Sequence, residues 1–278
     1  MITVEMREDL RSRFPEIAKA LELDSSWLDS VCDEYNSGLA VAGEGTDSVD
    51  CNPLLTRLLF DRFREMPGNA SGILNLVHYY RKLPEASHSG WRQRRAGLIG
   101  DNFSTFHTTV TEIALHWYLA ETLHLGVRFV EPIPGGPPTP DFEISHNGII
   151  FPAELKSILV EALRLQPRKK FLRGSLDLKT TRGILERYRR AIQKRQIKDS
   201  NAGVVIVDIT CCEELLIFLD LAATSLGASL RDRAFSLLYD LSTANPDVQW
   251  SQVLLFLFAI DPYNHQGRFL APVNTGFR

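Results

Sequence analysis

The chain has 278 residues, 44% of them hydrophobic and 23% charged, with a formal net charge of −3 at pH 7. Such a composition is that of a globular protein with enough chain for a real core, as one large domain or as one domain with a sizeable appendage. It argues against a membrane-spanning protein, because no apolar run reaches the length of a bilayer, and against a uniformly basic nucleic-acid coat.

The opening "MITVEMREDLRSRFPEI" carries charges throughout and no apolar core, which argues against a signal peptide and for a cytoplasmic protein. Cys32, Cys51, Cys211 and Cys212 form no C-x-x-C pair and read as reduced thiols. His107, His116 and His124 fall into no zinc-ligand spacing with them.

Residues 1–95 read as a helical N-terminal region. "REDLRSRFPEIAKALEL", "PLLTRLLFDRFREMPG" and "GILNLVHYYRKLP" have apolar residues at helical spacing. The Gly- and Asp-rich "NSGLAVAGEGTDSVDCN" reads as a loop, and the polar "EASHSGWRQRRAGLIGDN" as a linker. Within that linker Trp91 lies beside Arg92, Arg94 and Arg95. Such a group can stack on nucleic acid, but a hinge or a core tryptophan among solvated arginines is the simpler expectation.

A second unit, residues 103–278, begins with a helix over "STFHTTVTEIALHWYLAETLHLG", with Val110, Ile113, Ala114, Trp117 and Ala120 on one side and Gly126 placed to end it. "VRFVEP" is a short strand. "DFEIS" and "GIIFPAELKS" form a hairpin across His146-Asn147-Gly148. From Arg164 to Lys198 there are 13 Lys or Arg against Asp177 and Glu186, roughly +11, around a helix at 179–198. "GVVIVDIT" has the β-branched run of a strand buried on both faces; helices are expected within 213–241, and "VLLFLFAI" as a last strand. The class is α/β, in the mixed α+β sense, with a central mixed sheet.

Residues at i and i+2 of a strand share a face, so Glu154 and Lys156 project together. Asp141, opening the neighbouring strand, reaches the same end of the sheet. Converging carboxylates repel unless a cation lies between them. A hard ion such as Mg²⁺ takes one or two carboxylates together with waters and phosphate oxygens.

Pro140-Asp141 and Glu154-Leu155-Lys156, in their strand–turn–strand setting, resemble the PD-(D/E)xK nuclease superfamily, with its restriction-endonuclease-like fold. The helix ahead of them bears Glu112, and the basic helix and buried strand after them also follow that family's order. The resemblance covers about residues 103–260. It implies a nuclease using Mg²⁺ (or Mn²⁺), with Asp141 and Glu154 as metal ligands, Lys156 as the catalytic lysine, Glu112 as an additional acid and the Leu155 carbonyl as a further ligand. The implied partner is nucleic acid, DNA before RNA, held along Arg164 to Lys198; the oligomeric state stays open, a dimer included. The alternative is a nuclease fold without turnover, serving as a nucleic-acid-binding or scaffold protein.

Pro152, two residues before Glu154, departs from an interior strand and marks either a bulge or the start of pairing. His116, one turn after Glu112, reads as a core or surface histidine before a site residue. Gln193 and Lys194 are possible phosphate contacts in the basic helix, and Asp208 reads as a buried, hydrogen-bonded strand residue outside the site.

Overall fold

A computed structural model describes residues 1–42, 51–64, 69–84, 88–131, 135–136, 139–157, 186–187, 190–191, 203–210, 253–260 and 267–272. The expected helices at 179–198 (apart from four residues) and within 213–241 lie outside these, as do Gln193, Lys194, Cys211 and Cys212. The described residues form two compact units, divided between Trp117 and Tyr118.

The first unit is helical: α1 (Val4–Arg13), α2 (Pro15–Ala20), α3 (Trp27–Ala42), α4 (Pro53–Arg64), α5 (Asn69–Tyr80), α6 (His88–Ile99) and α7 (Phe103–Trp117). The expected single helix at the N-terminus is broken into α1 and α2. Pro15 keeps Phe14 out of the helical region (φ −123°, ψ 40°) and then serves as the first residue of α2. Leu10, Leu21, Leu54, Leu55, Ile73 and Leu76 are among its fully buried side chains.

Two expectations are corrected here. Residues Asn36–Ala42, read as loop, complete α3, and the stretch read as a linker contains α6. α6 has few apolar residues because its polar ones do packing work. Arg95 donates from Nε to the Leu21 carbonyl at 2.6 Å and from a terminal nitrogen to the Glu22 carbonyl at 2.8 Å. These are carbonyls at the end of α2 that would otherwise lack a partner. Trp91 is buried, donates to Glu22 Oε1 at 3.2 Å and lies 5.0 Å beneath the Arg81 guanidinium. It is a core tryptophan, as expected. Asn52 caps α4, accepting from the amides of Leu54 and Leu55, and donates to the Ile99 carbonyl at 3.0 Å.

The second unit is a six-stranded mixed sheet in sequential order: β1 (Gly126–Phe129), β2 (Phe142–His146), β3 (Ile149–Ser157), β4 (Gly203–Asp208), β5 (Val253–Ile260) and β6 (Gly267–Pro272). Strands β1–β3 are antiparallel neighbours, β3–β4–β5 run parallel, and β6 returns antiparallel to β5. The chain is thus mixed α/β, and the parallel centre is buried: Val205, Val207 and Leu255 on one face and Ile206 and Phe258 on the other are covered.

Gly126 does not end the preceding helix. That helix gives way to a π-helical turn at Tyr118–Thr122, and Gly126 opens β1. A side chain there would meet the Ser145 hydroxyl, which can turn aside, while the Ser145 Cβ and carbonyl oxygen would lie at an ordinary 3.5 Å. No helix among the described residues is long and apolar enough to cross a membrane.

Candidate active site

The β2–β3 hairpin sets the site. Asn147 (φ 50°) and Gly148 (φ 79°) both take left-handed backbone, the signature of a two-residue type I′ turn, and the turn pairs His146 with Ile149. Hydrogen-bonded and non-bonded pairs then alternate along the ladder. Counting from the turn, Glu143–Pro152 is a non-bonded pair, so the Pro152 nitrogen points away from β2. On that other side, register with β4 begins only at Ala153–Val204. Pro152 therefore interrupts no ladder bond with β2 or, among the described residues, with β4. It marks the start of pairing with β4, and the β2–β3 register runs past it without a bulge.

One step beyond Phe142–Ala153, the same register sets Asp141 opposite Glu154. The Leu155 amide points toward the β2 side, where β2 has already ended. It donates to Asp141 Oδ2 at 2.8 Å. A strand residue's N–H and C=O face the same side, so the Leu155 carbonyl also faces the Asp141 side and not the β4 ladder. Asp141 is held from behind too, its carbonyl accepting from the Val130 amide at 3.0 Å.

Glu154 is fully buried (0% exposed), and its Oε1 is ion-paired with Lys156 Nζ, the i+2 pairing expected of one strand face. Its Oε2 is buried and finds no hydrogen-bond partner among the described residues. Such an atom costs about 1–3 kcal/mol unless a proton, water or cation meets it. Burial, and next the charge of Asp141, push the Glu154 carboxyl up to about 7, against the opposing pull of Lys156. Lys156 is 29% exposed at its side chain, so the ion pair opens toward solvent at the lysine end.

Among the described residues no three His, Cys, Asp or Glu side chains cluster as a metal cage. The acidic pair Asp141–Glu154, with the Leu155 carbonyl on the same side, is the donor set present. It suits an ion that binds through one or two carboxylates and retains waters, as Mg²⁺ does.

Glu112 lies in the first unit, on α7, where its carboxylate is ion-paired with Arg94. His116 is buried and shares a 2.9 Å hydrogen bond between Nδ1 and the Tyr79 hydroxyl, as a core histidine does. Asp208 is fully buried; its Oδ1 accepts from the Thr210 amide at 2.9 Å and from the Thr210 hydroxyl at 2.5 Å, which makes it a strand-end cap.

Of the basic segment the described residues are Glu186, Arg187, Arg190 and Ala191. Arg187 Nε donates to the Ser157 carbonyl at 2.9 Å, at the end of the strand that bears Glu154 and Lys156. That contact escaped the sequence analysis, since nothing in a run of arginines separates the one that bonds to main chain. Compared with protein-family models, curated proteins and solved structures, the chain matches none of them.

Proposed function

We propose that the chain is a divalent-metal-dependent nuclease of restriction-endonuclease-like fold that hydrolyses phosphodiester bonds, in DNA before RNA. The observation that carries this reading is the fully buried Glu154, opposite Asp141 and ion-paired with Lys156, with a buried oxygen left over. A buried carboxylate beside a second acid, with one of its oxygens left over, is costly to retain; a cation-binding role supplies the reason to retain it.

Asp141, Glu154 and the Leu155 carbonyl would hold Mg²⁺ or Mn²⁺. Bound there, the ion would lower the pKa of a water and neutralise charge developing on the phosphoryl group. The Leu155 amide fixes the direction of the Asp141 carboxylate, a preorganising contact made before any substrate arrives. Lys156, released from Glu154 once a cation takes over that carboxylate, can orient the attacking water or stabilise the transition state with its ammonium. Glu112 enters as the additional acid implied by the resemblance; its engagement with Arg94 sets a cost on that role.

A nuclease fold that binds without cutting is the second reading. It is favoured by the Lys156–Glu154 ion pair, which satisfies half of the Glu154 carboxylate without any metal. Cleavage of plasmid DNA in Mg²⁺ or Mn²⁺ separates the two. The nuclease reading expects cutting by the native protein that is abolished by EDTA, by Asp141→Ala and by Lys156→Ala. Equal cutting by both variants would refute the site.

A further inference from the structure

We propose that Arg187 is a positioning residue that ties itself and its described neighbours Arg190 and Ala191 to the end of the site strand, so that Arg190 is presented to a nucleic-acid phosphate backbone. The inference rests on the nuclease reading for its partner, but its geometry stands independently of catalysis.

Ser157 is the last residue of β3 and follows Lys156 directly. Its carbonyl accepts from Arg187 Nε, which lies in the guanidinium plane, so the bond sets the direction of the whole fork. One helical turn on, Ala191 is fully buried. Arg187 and Ala191, at i and i+4, thus form the seated side of this turn. Glu186 and Arg190 form another i, i+4 pair, 2.9 Å apart, and the Arg190 side chain is 63% exposed. An exposed pair of this kind holds its partners weakly. A phosphate offered to Arg190 competes, among the described residues, with the partly exposed Glu186 carboxylate and gains bidentate geometry. The seat therefore ties a phosphate-binding side chain to the strand that carries Glu154 and Lys156, only a few residues from both.

A lysine at 187 keeps the charge but not the planar Nε donor. That distinction separates seating from direct phosphate contact. The experiment measures binding of a duplex DNA oligonucleotide in EDTA by native protein, Arg187→Ala, Arg187→Lys and Arg190→Ala. Amide exchange of the 186–191 peptide, Mn²⁺ affinity and plasmid cleavage by the native protein are measured in parallel. Seating predicts that both Arg187 variants weaken DNA binding by about tenfold, speed exchange at 186–191 and leave Mn²⁺ affinity unchanged, while Arg190→Ala weakens DNA binding at unaltered exchange. Full recovery by Arg187→Lys, unchanged DNA affinity despite faster exchange, or no DNA binding by the native protein would each overturn the proposal. DNA binding without cleavage by the native protein would instead overturn the nuclease reading and leave the seating of Arg187 standing on its own results.

Discussion

Replacing Glu154 by Gln should make the metal-free protein more stable relative to native as pH rises, because Glu154 ionises at a thermodynamic cost. Its carboxyl is raised from an ordinary 4.5 to about 7. In the window between those values the folded state binds the proton that the unfolded state has released. Stability contributed by this group is therefore highest at low pH and declines through the window, levelling above about 7. The gap corresponds to roughly 3 kcal/mol, of which about 2–3 kcal/mol falls between pH 5 and pH 8. Glu154→Gln also takes a partner from Lys156, whose side chain reaches solvent; the attraction of that lysine is already part of what sets the Glu154 carboxyl at about 7. The difference between the two pH values isolates Glu154. Urea denaturation in EDTA, followed by circular dichroism at pH 5 and pH 8, gives the comparison directly. Mn²⁺ at 100 times its Kd should return about 2.7 kcal/mol to the native protein at pH 8 and markedly less to Glu154→Gln. A stability difference that is the same at pH 5 and pH 8 would refute the assignment of Glu154 as a buried, strained acid.

Glu112→Gln should lower stability by about 1 kcal/mol through its Arg94 partner, measured by denaturation, and weaken Mn²⁺ binding by calorimetry; an affinity equal to that of the native protein would take Glu112 out of the proposed metal set. Pro152→Ala should cost less than about 1 kcal/mol, only the unfolded-state rigidity of proline, since no ladder bond is gained or lost on the β2 side; a larger cost in the same denaturation assay would contradict the alternation argument. Gly148→Ala, at φ 79°, should cost about 1 kcal/mol or more, seen as a lowered urea midpoint, and weaken Mn²⁺ binding by shifting the hairpin that sets Asp141 against Glu154.

Much of the sheet was legible because its signals are local. Asn147-Gly148 announces the hairpin, alternation puts Glu154 with Lys156, and the β-branched run marks β4. β6 was missed: it opens on Gly267 and ends on Pro272, and "GRFLAP" is too short to show a period. α6 was missed because its arginines and Trp91 are held by α2 carbonyls and Glu22, partners about 70 positions away in the chain. The α1–α2 break lay in plain view at Pro15, but apolar periodicity carried across it.

Within the site, residue types were legible and their state was not. Sequence gives Asp141 and Glu154 as acids; it does not give the complete burial of one, the amide that pins the other, or the orphaned Oε2. Those follow from register and from what covers β3. Glu112 is a different case: the family resemblance implied it as an additional acid, and sequence did not show that its carboxylate is ion-paired with Arg94.

The central claim is that Asp141 and Glu154 together hold a divalent ion. Anomalous diffraction from crystals grown with Mn²⁺ tests it most directly. The account predicts a peak in coordination with both carboxylates and the Leu155 carbonyl, with Lys156 released from Glu154. No peak at that position, with Lys156 still paired to Glu154 at saturating Mn²⁺, would contradict it.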